Sequence, residues 1–155
     1  MIFDTYHEVE EFIDVEDNEI PLKNTKFLEL VKFFIANDIY NITEDDILNF
    51  IGSEPKKSED LFLEFKEIRE NKIDFDSIAK EIVSFANAQG GLLLLGIAEE
   101  KDRNVTYAKL NGITPTTIHK ASDITYSLNN TGMNPIPPFR VYGVKIKDGG
   151  MIFLI

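Results

Sequence analysis

Cysteine is absent from the 155 residues, which excludes a disulfide framework and a thiolate zinc site. Histidine is nearly absent: His7 and His119 are the two imidazoles, too few for a histidine-rich metal centre. Long apolar runs are missing as well. The longest is Leu92 to Leu95 with its flanks, far short of the roughly 20 residues that span a bilayer. Acids interrupt the first apolar stretch, so the N-terminus does not read as a signal peptide. These absences make a cytoplasmic chain with no membrane partner the default expectation. Bases are scarce too, with 16 Lys and Arg against 27 Asp and Glu and a net charge of −11. That balance argues against strong, non-specific nucleic-acid binding by the whole chain, yet it leaves room for a local site.

The charge is unevenly placed. Residues 1–55 hold 14 acids and 3 bases, whereas residues 56–155 hold 13 of each. The whole net charge therefore sits in the N-terminal third. From Arg103 onward six bases face only Asp123 and Asp148. The acidic third reads either as a solvated surface or as a segment that contacts a protein or masks an anion site. Pro55, in the polar stretch from Ser53 to Lys57, marks a boundary between an acidic helical extension (1–55) and a domain (56–155). The chain closes on Met151-Ile152-Phe153-Leu154-Ile155, an apolar strand with nothing after it. Such an end reads as the raw edge of a fragment cut from a longer protein.

Periodicity gives the elements. Met1 to Ile20 suits a short amphipathic helix, and a second helix is expected from Asn24 or Thr25 to about Asn37. Thr43 precedes Glu44, Asp45 and Asp46, acids that favour a helix N-terminus. That helix would bury Ile47, Leu48, Phe50 and Ile51 and end at Gly52. Two short helices suggest a helix-turn-helix, but the second carries three acids and no base, so a DNA-reading role is rejected. Leu61 to Lys66 alternates as a strand, and Asp76 to Ala86 reads as a helix capped by Asp76. Gly90 and Gly91 stop it. Leu92 to Leu95 is apolar at every position, the mark of a strand covered on both faces. Glu99 to Asn104 reads as a polar turn, Val105 to Leu110 as a strand, and Thr114-Pro115 as the start of a helix. Arg140 to Lys147 and the terminal stretch read as two further strands. The sum is an α+β fold: a mixed sheet of about five strands with two main helices, preceded by a small acidic helical segment.

Two motifs carry a resemblance. Ser84 to Ile97, SFANAQGGLLLLGI, is similar to the AFAN-x-x-GG-x-L-hydrophobic-x-G-V signature of the Schlafen-type AlbA-like domain. Upstream, Glu59 to Lys66 resembles that family's E-x4-EFK motif. The resemblance spans roughly 58–155. It implies an AlbA-like fold and, since many bacterial members are described as DNA-binding or transcription-regulator-like, a nucleic-acid-binding module of a larger protein.

In the nuclease members of the family three acids bind a divalent metal, and the resemblance maps them onto Glu59, Glu64 and Glu99. It implies an alternative activity, a Mg- or Mn-dependent endoribonuclease with Lys66 assisting. Two features depart from the pattern. Glu99 is longer than the usual aspartate. Glu59 and Glu64 lie five apart, on opposite faces of a regular strand, so they converge only if the chain turns or bulges near Asp60. For the binding reading, phosphate contacts fall to Lys66, Arg103, Lys145 and Lys147, from DNA or RNA. Lys145 and Lys147 share one strand face. A third reading is a protein-interaction or sensor module of a regulatory or defence protein, with residues 1–55 as the contact surface. A second copy of the chain, in a homodimer, is a further candidate partner.

Overall fold

The computed structural model describes residues 41–52, 59, 62–88 and 90–155. The two N-terminal helices expected before Asn37, and the linker around Pro55, lie outside the described residues. The elements run α1 (Glu44–Gly52), β1 (Leu63–Lys66), α2 (Phe75–Asn87), β2 (Leu92–Leu95), β3 (Ile97–Asp102), β4 (Val105–Ile113), α3 (Ala121–Asn129), β5 (Tyr142–Lys145) and β6 (Met151–Leu154). The fold is α+β. Four strands form a mixed sheet in the order β1-β2-β6-β5, and β3 and β4 form a separate hairpin.

β2 is the axis of the sheet. It pairs parallel with β1, Leu63 opposite Leu92 and Lys66 opposite Leu95. On its other side it runs antiparallel to β6, Leu95 opposite Phe153. All four leucines are buried, and successive side chains alternate between faces. Leu92 and Leu94 join Phe65, Ile152 and the α1 residues Ile47, Phe50 and Ile51. Leu93 and Leu95 join Ile78, Ile82 and Phe85 of α2 and Ile124 and Leu128 of α3. One face is thus closed by α1 with the hairpin, the other by α2 and α3.

Local signals explain most of the helix ends. Thr43 and Asp46 bond reciprocally across the first turn of α1, Asp46 N to Thr43 Oγ1 and Thr43 N to Asp46 Oδ2, as in a capping box. The cap of α2 is Asp74 rather than Asp76, its carboxylate accepting from Ser77 N at 3.0 Å. At the other end Gly90 takes φ +88 and its N–H reaches Phe85 O, the left-handed stop that glycine permits.

Three expectations need correction. The Thr114-Pro115 stretch is not a helix start. Thr116 exchanges both backbone bonds with Met151, N to O at 2.9 Å and the reverse at 2.8 Å, so its main chain is already used by a sheet partner and cannot join a helix. The helix begins at Ala121, and Ile118 is 65% exposed rather than buried. Glu99 to Asp102 is no turn but most of β3, which pairs with β4. The strand expected over Arg140 to Lys147 is shorter, β5 covering Tyr142–Lys145, and β6 lies between β2 and β5. Among the described residues no helix is long and apolar enough to cross a membrane.

Gly96 ends β2 and governs where the chain goes next. Its N–H donates to Lys66 O and its carbonyl accepts from Thr114 N, both at 2.7 Å, with φ at +104. A Cβ there would meet Ile152 Cγ2 at 2.5 Å. Gly96→Ala combines an unfavourable dihedral with overpacking, and is expected to cost about 2 kcal/mol or more, read as a lower urea midpoint.

Candidate functional site

The three acids come together through two local departures from regular structure. Glu59 lies before β1, not in it, and its Oε1 accepts from Phe65 N at 3.0 Å. Its own N–H donates to Thr106 O in β4 at 2.7 Å. The chain therefore folds the Glu59 carboxylate back onto the strand that carries Glu64. Glu99 arrives on β3, where the register of the hairpin shifts between Ile97 and Glu99. Burial, together with the neighbouring Glu64 and Glu99 charges and a hydrogen bond with Glu99, pushes the Glu59 carboxyl up to about 7. A hydrogen bond between two carboxyls requires a proton on one of them.

Glu64 and Lys66 share a face of β1, as their alternation requires, and lie 2.7 Å apart. Burial raises the Glu64 carboxyl, only partly offset by Lys66. Burial also disfavours the Lys66 ammonium, but the Glu64 hydrogen bond and the charges of Glu64, Glu81 and Glu59 outweigh it and hold the group above its ordinary value. Glu81 of α2, 3.9 Å from Lys66, was not singled out from sequence. Its place one turn from Ile78, on the helix side that meets the sheet, was the available signal. A cleft of about 460 Å³ beside these groups has Lys66, Arg69, Ser77 and Glu99 in its walls.

Carboxylate oxygens are the donors that Mg and Mn favour. In this arrangement they do not form a ready cage. Glu59 accepts from Phe65 N, Glu64 is engaged by Lys66, and no group of three or more His, Asp or Glu among the described residues is placed to hold a metal ion.

The four cations expected to meet phosphate are not gathered. Lys66 is on outer strand β1 and Lys145 on outer strand β5, three strand spacings or about 14 Å apart. Arg103 sits in the turn between β3 and β4 with φ +51. Lys147 lies beyond the end of β5, so the strand face it was expected to share with Lys145 does not extend to it. Its Nζ is 2.6 Å from Asp45 Oδ1, and its backbone N donates to Glu44 Oε2 at 2.7 Å. The described acids of the N-terminal third thus cover one cation of the domain.

Lys145 has no ion-pair partner among the described residues. It borders a groove of about 330 Å³ between Thr116–Lys120 and the β5–β6 turn. Lys120, missed in the sequence because it carries no motif, borders the same groove, and no acid lines it. His119 stands in this loop, not on a helix. Its Nε2 is 3.0 Å from Asn71 O, and its ring meets Phe75 edge-on. Asn71 Oδ1 in turn accepts from Thr116 Oγ1 and Thr117 N. His119 and Asn71 hold the groove wall in place.

The raised Glu59 carboxyl has a stability consequence. A carboxyl whose folded value lies above its unfolded one favours the folded state when protonated, so its contribution is complete below about 4.5 and is lost as pH rises to about 7. Glu59→Gln keeps an acceptor for Phe65 N but has nothing to titrate. The wild type is expected to lose stability relative to Glu59→Gln across that window, measured as the difference between their urea midpoints at pH 4.5, 6 and 7.5.

The family model described as Schlafen, AlbA_2 matches residues 59–155. No curated protein and no solved structure matches the chain. The matched span starts at the first acid of the site and includes β1 to β6. The chain belongs to the Schlafen, AlbA_2 family, a domain family commonly associated with nucleic-acid binding.

Proposed function

We propose that this chain is the nucleic-acid-binding module of a larger cytoplasmic protein, of the DNA-binding, transcription-regulator-like kind. The observation that carries this reading is the acid-free groove bordered by Lys120 and Lys145. In a chain with 27 acids, a concave surface with two lysines and, among the described residues, no acid in its lining and no ion-pair partner for either base suits a phosphate backbone. Arg103 extends the cationic set at the hairpin turn. Lys66 contributes less, since three carboxylates already surround it. Lys147 joins once Asp45 gives way, because an exposed pair is worth only about 0 to 1 kcal/mol. Both DNA and RNA present this backbone.

A second reading is a divalent-metal-dependent endoribonuclease. The nearness of Glu59, Glu64 and Glu99 favours it, and the absence of a metal-holding group of three among the described residues weighs against it. Structured RNA incubated with manganese or magnesium separates the two. Cleavage that stops with chelator and in Glu64→Ala supports the nuclease; intact RNA removes it.

Binding is read by anisotropy of labelled DNA and RNA between about 50 and 200 mM salt. Affinity is expected to fall steeply with salt and to ignore chelator. The double substitution Lys120→Glu and Lys145→Glu is expected to weaken binding at least roughly tenfold and to reduce the salt slope by about one per lysine. Asp45→Asn frees Lys147 and is expected to strengthen binding by roughly two- to threefold. Affinity indifferent to both salt and these substitutions overturns the proposal.

A further inference from the structure

A third recess, mainly apolar, lies away from both the acids and the lysine groove. It lies where the end of α2, Gly90-Gly91 and the start of β5 meet, and holds about 270 Å³. Three aromatic rings contribute walls: Phe85, Phe139 and Tyr142. Phe85 is exposed to the recess because residue 91 has no side chain; a Cβ on Gly91 would fall 2.5 Å from the Phe85 ring. Phe139 and Tyr142 are half-buried at the edge of the recess. The floor is closed by Leu154 and Ile155, the latter held by Leu93 through both its N–H and its carbonyl, at 3.0 and 2.9 Å.

The charge of the recess is as informative as its shape. Arg140 is its single charged side chain, lies exposed at the lining and has no ion pair among the described residues. A mainly apolar recess lined by aromatic rings, with one guanidinium at its lining, suits an aromatic ligand that carries an adjacent anion. A nucleobase with its own phosphate is such a ligand. Stacking on aromatic side chains is how unpaired bases are held, and an arginine beside them meets the backbone.

Position links this recess to the groove. Tyr142 begins β5 and borders the recess, while Lys145 ends β5 and borders the groove. β5 is an outer strand of the sheet, and its four residues span about 10 Å. A chain of a few nucleotides laid along this edge would meet Arg140 first and the two lysines next. In a duplex, bases are stacked and paired inside the helix and cannot enter such a slot. We propose that the module selects single-stranded nucleic acid by taking one unpaired base into the Phe85–Phe139–Tyr142 recess, with its phosphate on Arg140. This inference rests on the nucleic-acid reading above and sharpens it.

Three labelled probes test it at one salt concentration: a single-stranded RNA of 12 nucleotides, the same sequence as a duplex, and the same strand with abasic sites throughout. The single strand is expected to bind at least about tenfold tighter than either of the others. Phe139→Ala and Arg140→Ala are expected to remove most of that advantage, with Arg140→Ala weakening duplex binding by no more than roughly the loss of one phosphate contact. Arg140 is solvent-exposed, so its substitution reports on binding even where Phe139→Ala disturbs the fold. Equal affinity for single strand and duplex, or full single-strand preference in Arg140→Ala, overturns the base-slot inference and leaves the phosphate-binding role standing. Failure of all three probes to bind overturns both.

Discussion

Burial of Leu92–Leu95 on both faces is the condition from which the other features follow. A strand with no polar side chain has to be covered above and below, and its main chain has to be paired on both sides. The first demand recruits α1 with the hairpin to one face and the two later helices to the other. The second places β1 and β6 alongside. Gly96 then ends the strand where Ile152 leaves no room for a side chain. The chain swings out of the sheet there, and that swing delivers Glu99 to the end of β1. The acids are gathered by the same turn that closes the core.

Charge is partitioned across the sheet. Glu44 and Asp45 of α1 reach Lys147 just beyond β5, while the carboxylates around Lys66 lie at the β1 edge and Lys145, with no ion-pair partner among the described residues, at the β5 edge. Their separation of about 14 Å exceeds the roughly 8 Å over which charges are felt at physiological ionic strength. The groove therefore presents a positive surface although the molecule as a whole is strongly negative. Lys66 and Lys147 are both paired, but with different consequences. Lys66 is half-buried among three acids, whose charges outweigh the cost of burying its ammonium. Lys147 is 69% exposed and tied mainly to one carboxylate, a contact that a polyanion can replace.

Where the sequence was legible, the signal was local or two-sided. The α2 periodicity, the glycine stop and the all-apolar β2 were each specified by neighbouring residues. The alternation of β1 correctly put Glu64 and Lys66 on one face. Long-range pairing defeated the rest. Thr114-Pro115 has good helix-start chemistry, yet Thr116 is bonded to Met151, thirty-five positions on in the chain. β3 reads as a turn because its second half is all charged; it is a strand only through its hairpin partner. The meeting of Glu59 with Glu64 could not be read from their spacing, because Glu59 precedes the strand and folds back on Phe65. Lys120 and Lys145 have no sequence signature in common. They meet because a loop and a strand end happen to be neighbours in space.

The interior position of β6 sets the order in which the molecule can assemble. β5 has β6 as its partner in the sheet, and β6 reaches β2 across the intervening residues 96–150. The parallel pair of β1 and β2 with α2 is local and can form early, but it stands with one side of β2 open until the last strand arrives. Non-local pairings of this kind slow folding, since the loop entropy is lost before the contact is gained. Until β6 has been made and docked, the half-built sheet would offer an apolar, unpaired strand to its surroundings, and the lysine-bordered groove would not exist.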